Sequence, residues 1–424
     1  MQQIRSILIY TLFITISLPI FIQVDNGVSL YSGIWLRSSG ITLPISIIPA
    51  ILLFISIILK PNQLNSISTS KLLIILPILY IVVNTASLLV GFIIGVPPQA
   101  SLFYIQTILP LLYWFISLDI STTIKSINHF YRILISVASL ACWGLIFQNT
   151  YESSWSETVK GRSVDYIGPF YIWGIYDYFP LVMAFIAILG IALFITFNTG
   201  WRVFLFATVP TIFTIPLLWS KGAIVTFGLG FILTIIFVIV KFGWTHRLLT
   251  ICIGSILLVA VIFLSPSQPL VVQRFVADFI TGESTSLTSR MSRWDSALLI
   301  ITSNPWFGIS FDPSFDIGDD IGINRVFRSH NQYIDIWLKS GSISLLLFII
   351  VLSVLVFRLF MRYKSHLEFL PEFGISVGLL SAWISTITVS NMSQVNFNQL
   401  YSAGILWFSI GLFEGYYIHK HKRI

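Results

Sequence analysis

The feature that most constrains this chain is a succession of apolar runs, each long enough to cross a lipid bilayer. A spanning helix needs about 20 mostly apolar residues, and 56% of the 424 residues are hydrophobic while only 10% are charged. Soluble domains carry about 25% charged residues. The sequence therefore predicts an all-α polytopic membrane protein with about 12 transmembrane helices. The predicted spans are Ile7 to Ile22, Ile41 to Leu59, Leu72 to Ile94, Leu102 to Leu118, Phe130 to Phe147, Phe179 to Phe197, Val203 to Leu218, Ala223 to Val240, Leu248 to Leu264, Ser342 to Phe360, Phe373 to Val389 and Tyr401 to Tyr417.

The distribution of Lys and Arg predicts how these spans are oriented, since basic residues near span ends favour the cytoplasmic side. With the N-terminus inside, 14 of the 24 basic residues and 4 of the 17 acidic residues are cytoplasmic. The inner side then carries +10 and the outer side −3, which together give the net charge of +7. The basic excess is thus a topology signal that does not indicate nucleic-acid binding, and both termini are predicted to be cytoplasmic.

Two long connections on the outer side organise the chain. Residues 1–264 hold spans one to nine, including a first long loop at 148–178, residues 265–341 form a longer loop, and residues 342–424 hold the last three spans and a cytoplasmic tail. Long loops on a compact bundle commonly carry function.

Most basic residues of the outer side lie in these two loops, and Lys221 lies in a tight turn between two spans. Guanidinium groups suit phosphate, so this placement predicts a bound anion, with solvated or headgroup-contacting charges as the alternative. The loop cations are Lys160, Arg162, Arg274, Arg290, Arg293, Arg325, Arg328 and Lys339.

Within the longer loop, residues 289–304 fit an amphipathic helix with Trp294, Leu298 and Ile301 on one face. Arg290 precedes Trp294 by four residues and shares that face. Such a helix either lies at the membrane surface or holds Arg290 over the mouth of the bundle. The following segment, Asn304-Pro305-Trp306-Phe307-Gly308, is typical of a turn.

The segment Ser329-His330-Asn331-Gln332 predicts the start of another helix, which ends at Gly341. Ser329 followed three residues later by Gln332 is a capping box, which places His330 in the first helical turn. Free N–H groups and the positive end of the helix dipole favour both a neutral imidazole and a bound anion there, as do nearby Arg325 and Arg328. A surface histidine without a role is the alternative.

Four acidic residues lie between these two segments: Asp312, Asp316, Asp319 and Asp320. Their spacing matches no EF-hand loop and lacks its terminal glutamate. The stretch therefore does not predict a metal site.

Three groups of residues resemble the signature of the O-antigen ligase and O-antigen polymerase superfamily. They are Arg290-x-x-x-Trp294, Asn304-Pro305-x-x-Gly308, and His330-Asn331 with nine residues before Gly341. Ser220-Lys221-Gly222 is similar to the family's serine, cation and glycine. The resemblance implies a bundle of the membrane glycosyltransferase C type in the bacterial inner membrane. It further implies a metal-independent, inverting glycosyltransferase that needs no cofactor and has a periplasmic active site.

The resemblance also implies roles for individual residues. His330 would be the general base, Arg290 would bind the donor diphosphate, and Arg162 would be a second essential arginine. Secondary candidates for diphosphate binding are Lys221, Arg293, Arg325, Arg328 and Asn331. The implied partners are an undecaprenyl-diphosphate-linked glycan donor, a glycan or lipid A core acceptor, membrane lipids and a chain-length regulator protein.

Three activities remain open from the sequence. A polymerase transfers the growing chain to the next lipid-linked repeat, whereas a ligase transfers it to lipid A core. Ser344 stands where ligases more often have Gly, Thr or Tyr, which is a departure from the ligase pattern. The match to the generic pattern of the superfamily favours the polymerase. A transporter or flippase for the same lipids is the alternative of another class, and the scarcity of acids in the predicted spans counts against ion-coupled transport.

Overall fold

The computed structural model describes residues 2–18, 21–24, 28–29, 41–59, 71–98, 100–124, 126–151, 179–217, 220–264, 285–312, 329–365, 371–393, 397 and 400–422. Most of these residues are helical. The helices are α1 (Gln2–Ser17), α2 (Ile47–Ile58), α3 (Lys71–Ile93), α4 (Ala100–Ile108), α5 (Leu111–Ser121), α6 (Ile127–Tyr151), α7 (Phe179–Ile195), α8 (Trp201–Val203, continued by the π-helical residues Phe204–Thr208 and by Val209–Leu217), α9 (Lys221–Phe242), α10 (His246–Leu264), α11 (Thr285–Ser303), α12 (Gln332–Ser365), α13 (Pro371–Ser385, continued by the π-helical residues Thr386–Ser390 and by Asn391–Ser393) and α14 (Leu400–Lys422).

Six helical segments in the described ranges are long and apolar enough to cross a membrane: Lys71–Ile93, Phe103–Ser121, Ile127–Ile146, Lys221–Phe242, Gln332–Ser365 and Glu372–Ser390. Five shorter apolar helices accompany them: Ile4–Ile16, Ile47–Ile58, Phe179–Ile195, Trp201–Pro216 and His246–Ile256. The predicted class of helical membrane protein agrees with these segments, and the exact count of twelve spans stays a prediction.

A small antiparallel sheet departs from the all-α prediction. Its strands are β1 (Phe21–Val24), β2 (Val28–Ser29) and β3 (Ile41–Pro44), in the order β2-β1-β3. Ile22 and Ile41 lie in these strands. The predicted end of the first span at Ile22 and the predicted start of the second span at Ile41 are therefore both wrong. Aromatic and β-branched residues suit a strand as well as a membrane helix. The mean hydropathy is therefore similar on both sides of the boundary between α1 and β1 and does not reveal it.

The chain divides into two compact units. The first comprises Met1–Ser56, Thr123–Thr281 and Arg358–Thr386. Its centre is α7, in which every residue is buried. Close approach to α7 depends on glycines, because a methyl group at Gly190 or Gly230 would overlap Thr208 of α8 or Ile188 of α7, respectively.

The second unit comprises Ile57–Thr122, Gly282–Phe357 and Ile387–Ile424. In it α5 and α14 pack closely, since a methyl group at Gly411 or Gly415 would overlap the hydroxyl of Ser117 or Ser121. Asp119 of α5 and Glu414 of α14 are buried in these helices. Both acids lie towards the helix ends that are predicted to be cytoplasmic.

Candidate active site

His330 lies in a strained backbone conformation immediately before α12. Its φ of 51° is in the left-handed region, which is uncommon for residues other than glycine but several-fold enriched in His, Asn and Asp. The side chain is half-buried, whereas Ser329 and Asn331 on either side are buried. Because such a conformation persists only where neighbouring structure imposes it, the contacts of these two neighbours define the site.

Asn331, and not Ser329, caps the helix that follows His330. Its side-chain Oδ1 accepts hydrogen bonds from the backbone N–H groups of Tyr333 at 3.0 Å and Ile334 at 3.3 Å. The helix begins at Gln332. The predicted capping box is therefore wrong by two residues, and His330 precedes the first turn instead of lying in it. Asn331, predicted as a secondary diphosphate ligand, has its side-chain oxygen committed to this cap.

Ser329 is fixed from two directions. Its hydroxyl accepts a hydrogen bond from the Asn331 N–H at 3.1 Å and donates one to the Asn331 carbonyl at 2.7 Å. Its own carbonyl accepts a hydrogen bond from the indole N–H of Trp294 at 2.7 Å. Trp294 of α11 thus holds the residue that precedes His330.

The residues after His330 are also anchored. The Oε1 atom of Gln332 accepts a hydrogen bond from the backbone N–H of Phe397 at 2.8 Å, and the hydroxyl of Tyr333 donates one to the Ile387 carbonyl at 2.8 Å. Gln332 is recruited by this distant N–H, which is why it does not complete the predicted capping box. The backbone on both sides of His330 is therefore held by other parts of the same unit.

The helix α12 bends sharply at Gly341, where φ is 85° and ψ is 177°. We call residues 332–340 the short arm and residues 342–365 the long arm. The rings of Tyr333 and Phe348 are 6.3 Å apart, whereas in a straight helix residues 15 apart would be separated by about 22 Å along the axis. The short arm therefore lies back against the first turns of the long arm, in agreement with the prediction that the helix after His330 ends at Gly341.

The turn at residues 304–308 fits into this bend. The Ser342 N–H donates to the Pro305 carbonyl at 2.9 Å, and the Ile309 N–H donates to the Leu338 carbonyl at 2.7 Å. A methyl group at Gly341 would overlap the Trp306 carbonyl, and one at Gly308 would overlap the Leu338 carbonyl. Both glycines also have positive φ. The predicted turn is confirmed. Gly308 and Gly341 are both required because the backbone of the turn and the backbone of α12 approach each other closely.

The helix α11 places Arg290 on the face that carries Trp294, one turn before it. Arg290 and Arg293 are both half-buried. Ala297 and Ile301 of α11 are buried and pack with Ile309 and Leu338. Leu298, which is predicted to share one face with Trp294 and Ile301, is 39% exposed, and the small Ala297 is the residue that packs beside Ile301.

Two buried polar contacts near the bend were not predicted from the sequence. Asn84 of α3 donates to the Ser344 hydroxyl at 2.9 Å, and Lys339 pairs with the buried Asp335 at 2.8 Å. The spacing of four residues between Asp335 and Lys339 was a usable signal for the ion pair. Nothing local in the sequence links Asn84 with Ser344, which are 260 residues apart.

The remaining predicted residues are placed as follows. Arg162, Arg325 and Arg328 lie outside the described residues. Lys221 begins α9 in the first unit, where Ser220 caps the helix through a hydrogen bond from the Ala223 N–H at 3.3 Å. Among the described residues no three His, Cys, Asp or Glu side chains come together as metal ligands. Asp316, Asp319 and Asp320 lie outside the described residues.

The described residues define a polytopic helical membrane protein in which a histidine precedes a bent helix and is held by a tryptophan of a loop helix. The family model described as O-antigen ligase matches residues 206–349, about one third of the chain, and this match confirms the predicted resemblance to the O-antigen ligase and O-antigen polymerase superfamily. The matched part includes Lys221, Arg290, Trp294, His330 and Gly341. No curated protein matches the chain.

Proposed function

We propose that this chain is a membrane glycosyltransferase that transfers a glycan from undecaprenyl diphosphate to the hydroxyl of an acceptor sugar. The reaction takes place on the periplasmic face of the bacterial inner membrane, and the acceptor is the next lipid-linked repeat. The family match supports a glycosyltransferase of the O-antigen ligase or polymerase type. The donor, the acceptor and the side of the membrane are parts of the proposal.

The observation that carries this proposal is the imposed conformation of His330. Trp294 holds the carbonyl before it and Asn331 caps the helix after it. Strained backbone of this kind clusters at active sites, because it fixes a reacting group in place. The positive end of the helix dipole at the start of the short arm favours an anion near His330.

In the proposed reaction His330 accepts the proton of the acceptor hydroxyl as its oxygen attacks the anomeric carbon. The bond between that carbon and the phosphate oxygen breaks, and the undecaprenyl diphosphate leaves with its electron pair. Arg290 and Arg162 stabilise the charge that develops on the leaving group. Lys221, Arg293, Arg325 and Arg328 are secondary candidates for the same task. A single displacement inverts the anomeric configuration.

The test is His330→Asn in purified protein with a synthetic undecaprenyl-diphosphate-linked oligosaccharide. Asparagine tolerates positive φ, so this change removes the base without adding backbone strain. We expect kcat to fall by about 10²- to 10⁴-fold with KM little changed, as is typical for loss of a general base. His129→Asn is the control, because His129 is an exposed residue of α6. Near wild-type turnover in a folded His330→Asn protein would reject His330 as the base.

Turnover by the purified protein in detergent also separates the enzyme from a flippase for the same lipids. A flippase moves lipid between leaflets and makes no glycosidic bond, so it would yield no product under these conditions. This comparison matters because Asp119 and Glu414 are buried in helices of the second unit.

A ligase is the second candidate, because the matching family model is described as O-antigen ligase. The two activities predict different surface glycans after deletion of the chain. Loss of a polymerase leaves lipid A core capped with one repeat, whereas loss of a ligase leaves bare core and long lipid-linked chains. Gel analysis of the surface glycan distinguishes these outcomes, and unchanged long chains on the core would contradict both.

A further inference from the structure

Four large apolar side chains stand exposed beside the candidate site. In the second half of α11, Leu298 is 39% and Leu299 is 72% exposed. In the turn that follows, Trp306 is 64% and Phe307 is 43% exposed. We call these four residues the apolar patch.

The apolar patch lies at the ends of two membrane-spanning helices of the same unit. The Ser87 hydroxyl of α3 donates to the Phe307 carbonyl at 2.9 Å, and the Ser342 N–H at the head of the long arm donates to the Pro305 carbonyl at 2.9 Å. Both α3 and α12 are apolar and long enough to cross a bilayer. The turn that carries Trp306 and Phe307 is therefore fixed at the level where these two helices end or begin.

The two spanning helices expose large apolar side chains at the level of this turn. Leu89 and Phe92, which lie further along α3 than Ser87, are 55% and 41% exposed, and Ile343 and Leu346 of the long arm are 42% and 59% exposed. Large apolar side chains on the outside of a spanning helix contact lipid. The turn is therefore attached to helix ends that themselves contact lipid.

The exposed side of α11 carries both polar and apolar side chains. The exposed polar residues are Thr288, Ser292, Asp295, Thr302 and Ser303, and the exposed apolar residues are Met291, Leu298 and Leu299. Leu299 is the most exposed of the apolar side chains, at 72%. A mixed surface of this kind is typical of a helix that lies at the surface of a bilayer.

We propose that the apolar patch is embedded in the interfacial layer of the membrane, where lipid covers Leu298 and Leu299 and where Trp306 acts as an interface anchor. Trp is enriched at this level because its ring is apolar and its N–H is polar. The occupant is the lipid of the leaflet on the His330 side of the protein. This placement does not depend on the proposed reaction.

A consequence for the candidate site rests on the proposed function. The short arm lies back against the long arm, so His330 does not project away from the membrane above the turn. The base then lies no further out from the membrane than this turn does. A lipid-linked diphosphate reaches it without leaving the bilayer surface.

The test measures which environment surrounds a spin label on α11. Nitroxide labels are attached at Leu299→Cys and, as the matched control, at Ser292→Cys, in a background where Cys142 and Cys252 are replaced by alanine. Residues 292 and 299 are two helical turns apart and share one side of α11. In phospholipid nanodiscs, relaxation by oxygen reports contact with lipid, and relaxation by a water-soluble nickel chelate reports contact with water.

We expect the ratio of oxygen to nickel relaxation to be at least several-fold higher at residue 299 than at residue 292. Equal ratios with strong nickel relaxation at both positions would place the patch in water and overturn the proposal. Weak relaxation by both reagents at residue 299 would mean that protein covers it, which also overturns the proposal. A label at Trp306→Cys repeats the measurement if the first variant does not fold. None of these outcomes depends on catalytic activity, so they are distinct from a failure of the proposed reaction.

Discussion

At the scale of single residues, the backbone of His330 links two parts of the second unit. The backbone at His330 cannot move freely, because the carbonyl before it is bonded to Trp294 and the Asn331 amide oxygen after it caps the short arm. A positive φ of this kind costs about 1–3 kcal/mol. The hydrogen bonds around Ser329 and Asn331 offset that cost.

The bond from Trp294 leads to a prediction about turnover. In Trp294→Phe the ring remains but the N–H donor to the Ser329 carbonyl is lost, which costs about 1 kcal/mol. If Trp294 positions His330, a loss of this size corresponds to a decrease of roughly fivefold in kcat, with KM little changed. Steady-state kinetics of the purified protein measure the split between kcat and KM.

Trp143→Phe is the matched control, since the Trp143 indole also donates to a backbone carbonyl, that of Phe206, at 2.9 Å. It removes an equivalent hydrogen bond in the first unit. An equal effect of both substitutions on kcat would show that the Trp294 bond has no special part in positioning the base.

The sequence identified His330, Trp294 and Arg290 as related residues, but it misplaced the helix cap. Ser329 and Gln332 have the spacing of a capping box, and local chemistry alone favours it. Gln332 bonds instead to Phe397, 65 residues away. A contact of that sequence separation competes with the local motif and leaves Asn331 to cap the helix.

At the scale of elements, two glycines allow the turn at 304–308 to fit against the bend in α12. Gly341 and Gly308 each combine a positive φ with a close approach to a backbone carbonyl. The motif Asn304-Pro305-x-x-Gly308 and the distant Gly341 are thus two sides of one contact. Their spacing in the sequence reflects packing as well as chemistry.

We therefore predict that Gly341→Ala destabilises the protein by at least about 2 kcal/mol, from the strain of a positive φ and from overlap with the Trp306 carbonyl. Gly95→Ala is the control: Gly95 has a φ of 93° with no neighbouring atom within 4 Å, so it carries the strain alone. The temperature at which the detergent-solubilised protein loses its monodisperse elution peak measures both. Equal losses would mean that the close approach at Gly341 contributes nothing.

Hydropathy predicted the positions of most helices but not their interruptions. The predicted span from Leu102 to Leu118 lies in the spanning segment Phe103–Ser121, within which α4 and α5 meet at an irregular turn near Pro110, a residue that lacks the N–H a helix interior needs. The strands β1 and β3 were missed because apolar residues serve strands and membrane helices alike. The helix α11 was predicted nearly in full, since its period of 3.6 residues is visible in the sequence.

At the scale of the whole molecule, the unequal distribution of charge predicts the orientation of the chain. The predicted inner side carries +10 and the outer side −3. Positive residues resist transfer across the membrane during insertion. The prediction belongs to the entire sequence, because short connections throughout the chain contribute to it.

We predict that both termini are cytoplasmic and that the connection after α3 is not. Alkaline phosphatase, which is active only outside the cytoplasm, should be inactive when fused after Ile424 and active when fused after Pro98. A green fluorescent protein fusion should give the reverse pattern. Phosphatase activity at Ile424 would invert the topology and place His330 on the opposite side from the proposed substrate.

Whole-molecule packing is also where sequence reasoning reached its limit. Leu298 and Ala297 both fit the apolar side of an amphipathic helix, and only the neighbouring short arm decides that the smaller residue packs. The pairing of Asn84 with Ser344 likewise depends on the arrangement of α3 and α12. Such choices follow from tertiary contacts that no local pattern encodes.

The complete enclosure of α7 has a consequence for how the protein is made. A nascent apolar segment leaves the translocon surrounded by lipid, and helices associate afterwards. One of the partners of α7 is α13, whose Gly374 and Gly378 lie against Thr196 and Leu189 and which is synthesised long after α7. During translation this side of α7 must remain solvated by acyl chains, and assembly of the first unit is completed only after α13 has been synthesised.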